Sequence, residues 1–399
     1  MCHSHAVGLS LCNDPVLMGD RSARFVLTCL CSTLLALLLS AHTGWASTPV
    51  AWHLSAVRAP DAWPVATGAG VTVAVIDSGV DADHPALDGS VLPGRSYVDV
   101  DPGAEPRLLA FGSDPGPVYE RAFGQADPVG HGTAVAGLIA GSAESRYPGV
   151  APDAEILPVR VLDDENRYHD SAMVGAAVEW AVDNGADIVN LSLGGHYDSP
   201  AFAEAIAYAE QHDVLIVACT GNQREEAPAE DVWFPARVSE VLAVTGADEH
   251  GDRWRTAVTG EETDLAAPGA NLYAPKPGGG YKSVTGTSFA SAVVSGAAAL
   301  VRSAHPEWSA DQVRRALTET AVAGAPGLGE GIVDAAAAVE AEVLPRVAEP
   351  AEAGISPVLS AAATAAGGGL IGVSALLLRG GRGARRGGRL PGRPRTMAG

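Results

Sequence analysis

The chain has 399 residues, is 47% hydrophobic and carries a formal charge of −21. That length and apolar content allow one large packed domain, and the acidic balance argues against nucleic acid or another polyanion as a partner. Cys2, Cys12, Cys29 and Cys31 crowd the N-terminus and leave Cys219 alone further on, which excludes a disulfide-built scaffold.

At the N-terminus an uncharged apolar run, Phe25 to Ala41, follows Arg21 and Arg24, and Gly44-Trp45-Ala46 puts small residues at the two positions a signal peptidase reads. We expect a secretory signal over residues 1–46, with Met18 as an alternative start; an uncleaved N-terminal anchor is the competing reading. The run Val71 to Ile76 reads as a buried strand that ends on Asp77, followed by Ser78-Gly79. A carboxylate there lies where α/β proteins build their sites, though an acidic turn residue fits equally. From Asp99 to Val129 the chain is rich in Pro, Gly and acid, and reads as a loop with short strands.

Gly130-His131-Gly132-Thr133 then opens an apolar stretch, so a helix over 131–142 begins at the histidine, and the glycines admit close backbone. Strands over 155–162, 187–193 and 214–219 alternate with helices over 171–184 and 201–212. Such alternation implies right-handed βαβ units and a parallel sheet covered on both faces. The last of these strands runs into Thr220-Gly221-Asn222. Asn222 reads as a turn residue or, beside a nucleophile, as an amide donor. Gly286-Thr287-Ser288-Phe289-Ala290 turns into a strongly apolar helix. Its N-terminus offers free N–H groups beside Ser288, which alone would also suit a capping serine.

Beyond residue 340 the composition changes. A Pro-containing linker, 341–357, precedes 21 uncharged residues, 358–378, about 31 Å long as a helix and close to the bilayer's apolar thickness. Seven arginines and no acid follow in 379–399, and without them the formal charge of the preceding chain is −28. Positive charge behind a span marks the cytoplasmic side, so residues 47–340 are expected outside. A basic tail for nucleic acid, or a removable sorting tail, are the alternatives.

Together, Asp77, His131, Asn222 and Ser288 supply a carboxylate, an imidazole, an amide donor and a hydroxyl in that order. A serine hydroxyl needs a base; an imidazole serves, and a carboxylate fixes its tautomer. The ordered words resemble the subtilisin-like serine peptidases (subtilases) over roughly Trp52 to Val339. Gly149-Val150-Ala151-Pro152, Asn190 to Gly195 and Ala267-Pro268-Gly269 add to the likeness.

This resemblance implies a three-layer αβα fold with a mostly parallel central sheet, plus a C-terminal transmembrane helix from the composition above. It implies a Ser288–His131–Asp77 triad with Asn222 and the Ser288 N–H as oxyanion donors. Ser192, Leu193 and Gly194 would pair with the backbone of a protein or peptide substrate, and Ala218-Cys219-Thr220 would wall a side-chain pocket. Three positions depart from the family pattern: Phe289 and Ala292 stand where Met and Pro are frequent, and Ala134 where His is frequent. None of these changes removes a triad group.

No cofactor is expected to be required. The acid clusters Asp163-Asp164-Glu165 and Asp248-Glu249 read as calcium sites or as solvated loops. A signal, a catalytic domain and a C-terminal anchor in that order resemble the mycosins, membrane subtilases of specialised secretion systems; the lone Cys219 departs from the disulfides usual in that group.

Overall fold

The computed structural model describes residues 51–98, 125–168, 170–223 and 231–344. The expected signal, most of the 99–129 loop, the linker beyond 344, the span 358–378 and the arginine tail lie outside the described residues. Among the described residues no helix is long and apolar enough to cross a membrane.

Two short helices, α1 (Trp52–Ala56) and α2 (Ala59–Ala62), lead into β1 (Thr72–Asp77). Then follow β2 (Arg95–Ser96), α3 (His131–Ala140), β3 (Glu155–Arg160), α4 (Ser171–Asp183), β4 (Ile188–Leu191), α5 (Pro200–Gln211) and β5 (Leu215–Cys219). The elements foreseen from alternation are therefore present, with ends that differ by at most two residues. Capping sets two of the helix starts: Asp170 accepts the Ala172 N–H at 2.8 Å, and Ser199 caps α5 ahead of Pro200.

The remaining elements are β6 (Leu242–Ala247), β7 (Leu265–Pro268), β8 (Leu272–Pro275), β9 (Tyr281–Val284), α6 (Thr287–Ala304), α7 (Ala310–Glu319) and α8 (Ala335–Val339). Seven strands form one sheet in the order β2-β3-β1-β4-β5-β6-β7, and every pair in it is parallel. The expected sheet was mostly parallel; antiparallel pairing lies outside it, in the separate β8–β9 hairpin and in isolated bridges such as Gly195 with Phe234.

Side-chain alternation explains the layers. On β1, Val73 and Val75 face a core shared with α3 and α6, whereas Ala74 and Ile76 face a second core shared with α4 and α5. The same alternation holds on β5, with Leu215 and Val217 on one side and Ile216 and Ala218 on the other. Burying a side chain such as Ile76 contributes roughly 1.5–3 kcal/mol. Helix α6 is buried on all sides from Thr287 to Arg302, which its near-continuous Ala, Val and Ser content permits.

This topology positions the site. From β1 the order runs outward to β3 on one flank and β4 on the other, so β1 lies at the switch point of the sheet. In such sheets the crevice beyond the strands' C-terminal ends holds ligands. Asp77 ends β1, Ser192 follows β4, and Thr220 to Asn222 follow β5.

Candidate active site

Asp77 is fully buried and faces His131, whose Nδ1 lies 2.8 Å from Oδ1 and 2.9 Å from Oδ2. Because a carboxylate only accepts, Nδ1 carries the proton and the Nε2 lone pair faces away from Asp77. The Ser78 N–H donates to Asp77 Oδ1 at 2.7 Å and steadies the carboxylate. Gly132 is required by close packing: a Cβ there would run into the Gly79 carbonyl and lie 3.2 Å from the Asp77 carboxylate. Burial pulls the His131 pKa down, but the charge and hydrogen bond of Asp77, with the charge of Asp127, outweigh it. The net position is above the ordinary imidazole value, and Lys282 acts against the rise.

Asp127 was not among the residues singled out from sequence, yet it organises this corner. Its Oδ1 accepts from Ser78 Oγ at 2.8 Å and from the Gly130 N–H at 2.7 Å. Its Oδ2 accepts from the Thr133 N–H at 2.8 Å and from Thr133 Oγ1 at 2.6 Å. The carboxylate thus caps α3 from outside the helix, and Ser78, held by it, accepts the Gly132 N–H at 3.0 Å. Asp127 lies three residues ahead of the N-cap Gly130, so neither this capping nor its tie to Ser78, 49 residues earlier, carries a local sequence signal.

Ser288 stands in the first turn of α6, where N–H groups have no intrahelical carbonyl to meet. Its hydroxyl donates to the Ser192 carbonyl at 3.2 Å. The next residue, Phe289, packs its ring against the imidazole of His131, with centroids 5.3 Å apart and planes at 49°. The serine and histidine helices therefore meet at this point. To meet a base at Nε2 the hydroxyl would have to leave the Ser192 carbonyl. Hydrogen bonds between nucleophile and base are often unformed without substrate.

Asn222 is held by the same helix start. Its Oδ1 accepts the Thr287 N–H at 2.9 Å and Thr287 Oγ1 at 3.2 Å, and Thr287 Oγ1 also meets the Gly221 carbonyl at 3.1 Å. With the oxygen engaged by the Thr287 N–H, an obligate donor, the Asn222 amino group is left as a donor.

Of the expected substrate segment, Ser192 and Leu193 are buried and Gly194 is half-buried. Ser192 Oγ accepts from Asn190 Nδ2 at 2.9 Å and donates to the Ser288 carbonyl at 2.8 Å, which locks the segment to the first turn of α6. Cys219 is buried against these groups, its thiol 4.0 Å from the Leu193 carbonyl. Burial pushes its pKa up to about 11, so it remains a protonated filler rather than a nucleophile.

In each acid cluster one aspartate is turned into its own loop. Asp163 Oδ1 accepts the N–H groups of Glu165 and Arg167, and Asp248 Oδ1 those of His250 and Asp252. Among the described residues no group of three or more His, Cys, Asp or Glu is arranged to hold a metal ion.

The chain was compared with known proteins. The model of the Subtilase family matches residues 68–344. Subtilisin BL of Lederbergia lenta is 37% identical over 293 residues, 72% of this chain and 98% of that protein. Subtilisin E of Bacillus subtilis is 34% identical over 295 residues, 73% of this chain and 71% of that protein. Among solved structures, the MycP3 protease from the type VII (ESX-3) secretion system matches with a TM-score of 0.58 and 31% identity, over 73% of this chain and 88% of that one. MycP1 from the ESX-1 type VII secretion system matches with a TM-score of 0.63 and 26% identity, over 76% and 89%.

Proposed function

We propose, from the premise that this chain belongs to the subtilase family and is a subtilisin-like serine endopeptidase, that Ser288, His131 and Asp77 carry its reaction. We propose further that it acts tethered to a membrane, with the catalytic domain outside the cytoplasm. The single observation that supports the triad most is the two-oxygen contact of Asp77 with His131 Nδ1, beside the helix that carries Ser288.

In this reading Ser288 Oγ attacks the scissile carbonyl as His131 Nε2 removes its proton, and Asp77 stabilises the resulting imidazolium. The oxyanion meets the amino group of Asn222 and the N–H of Ser288, donors fixed before the reaction begins. His131 then returns the proton to the leaving amine. Water, activated by the same base, hydrolyses the acyl-enzyme. The backbone of Ser192, Leu193 and Gly194 pairs with the substrate as an added strand, which gives affinity with little sequence choice. No step needs a cofactor.

The tether rests on the uncharged residues 358–378 and the seven arginines behind them. In cells expressing the full chain, the catalytic domain is expected in the membrane fraction after alkaline carbonate washing. Intact cells are expected to cleave an added peptide, and cells with Ser288→Ala are not. A soluble cytoplasmic catalytic domain would overturn the tether, and cleavage surviving Ser288→Ala the triad.

A further inference from the structure

Three segments of the chain meet around one slot beside Asn222. The first is Ser192 to Gly195, the second Cys219 to Asn222, and the third Trp233-Phe234. Gly195 and Phe234 exchange both backbone hydrogen bonds, at 2.9 and 2.8 Å, and the Trp233 N–H donates to the Thr220 carbonyl at 3.0 Å. Trp233 is therefore clamped between the segment read as the substrate's partner strand and the turn that carries Asn222.

Its side chain fills the gap. Gly221 has φ +112°, and a Cβ built on it would lie no more than 2.7 Å from three indole carbons. The ring thus lies flat on the Gly221 backbone, which only glycine permits. On the opposite wall a Cβ on Gly194 would lie 3.4 Å from the Trp233 Cβ and 2.6 Å from the Phe234 carbonyl. His196 closes the outer side edge-on, with ring centroids 5.6 Å apart and planes at 75°. The indole Nε1 is buried and finds no acceptor among the described residues, so packing rather than hydrogen bonding holds the ring there.

When a scissile carbonyl points at Asn222 and Ser288 while its chain pairs with Ser192 to Gly194, the side chain of that same residue projects between the first two segments. We propose that Trp233 is the specificity-determining residue of this enzyme. By occupying the slot it restricts cleavage to the carboxyl side of small residues, glycine, alanine and serine, and excludes leucine and aromatic side chains. The proposal rests on the reading of Ser288 as nucleophile and Ser192 to Gly194 as substrate strand. A single methylene in such a pocket changes kcat/KM by roughly 10–200-fold, so a whole aromatic ring is strongly discriminated.

The test measures kcat/KM of the full chain on peptides that differ only in the residue donating the scissile carbonyl: Ala, Leu or Phe. The native enzyme is expected to favour Ala over Phe by at least about tenfold. Trp233→Ala is expected to move the Phe-to-Ala ratio upward by about tenfold or more, with Trp233→Phe between the two. A fluorophosphonate that labels Ser288 reports which variants are folded; should Trp233→Ala fail to label, the ratio is read from Trp233→Phe. A native enzyme that cleaves after Phe as readily as after Ala overturns the proposal, as does an unchanged ratio in a labelled variant. Absence of labelling in the native chain would instead strike the Ser288 reading beneath it.

Discussion

At the scale of single residues, the proposed base His131 sets the expected working pH. The base must be neutral to take the Ser288 proton, and its pKa lies above the ordinary imidazole value because Asp77 and Asp127 favour the charged ring. The acid limb of kcat/KM is therefore expected above that of a free imidazole, about 6.5. Two substitutions move it in opposite directions. Lys282→Met removes a cation that holds the imidazole down, so the limb shifts to higher pH; Asp127→Asn removes an anion that lifts it, so the limb shifts to lower pH. Asp127→Asn also lowers kcat, since an amide oxygen cannot accept all of the bonds now shared by two carboxylate oxygens. pH profiles of both variants check the pair, and shifts of the same sign would contradict it. This network also marks a boundary of sequence reading. The words around Asp77, His131, Asn222 and Ser288 are local and carry their own turn and helix signals. Asp127 acts through Ser78, a partner that only the folded sheet brings near.

At the scale of elements, helix α6 carries Ser288 and must approach α3 and the sheet closely. Gly296 makes that possible: a Cβ there would lie 2.6 Å from the Val150 Cβ and 3.4 Å from the Ile139 carbonyl. Gly296→Ala is expected to destabilise the fold by about 1–3 kcal/mol through overpacking, despite the better helix propensity of alanine. A urea midpoint equal to or above that of the native chain would contradict this. Along the same helix Ser295 Oγ donates to Asn190 Oδ1 at 3.0 Å, and Asn190 holds Ser192, so polar pairs align α6 with the segment that follows β4. Sequence alternation foretold β1, β3, β4, β5 and the helices between them, because each spans several turns or a full buried run. The later strands β6 and β7 and the β8–β9 hairpin were missed. They are no shorter than β4, but irregular chain rather than helices separates them, so no strand–helix alternation marks them.

At the scale of the whole molecule, one buried base outside the site makes stability depend on pH. His53 on α1 is almost wholly buried, and burial pushes its pKa down to about 4, against a smaller upward pull from the Pro148 backbone. The folded state therefore resists protonation that the unfolded chain accepts below about 6.5. Stability is complete above that pH and is lost as pH falls towards 4, because the unfolded state binds the extra proton throughout this window. The loss at pH 5 is on the order of 2 kcal/mol from this residue. His53→Leu is expected to reduce the difference in unfolding free energy between pH 7 and pH 5 by that amount. An unchanged difference would contradict the assignment. Helix α1 packs in the same core as α3 and α6, so acid weakens the layer that carries His131 and Ser288.

The central claim is that three side chains separated by 211 positions of chain, Asp77 to Ser288, act as one catalytic group. Its most direct measurement is the rate and site of fluorophosphonate labelling of the full chain, mapped by peptide mass spectrometry. The account predicts one label per molecule on Ser288, abolished by Ser288→Ala and slowed at least about a hundredfold by His131→Ala. A folded native chain that takes up no label, or labels elsewhere, would contradict it.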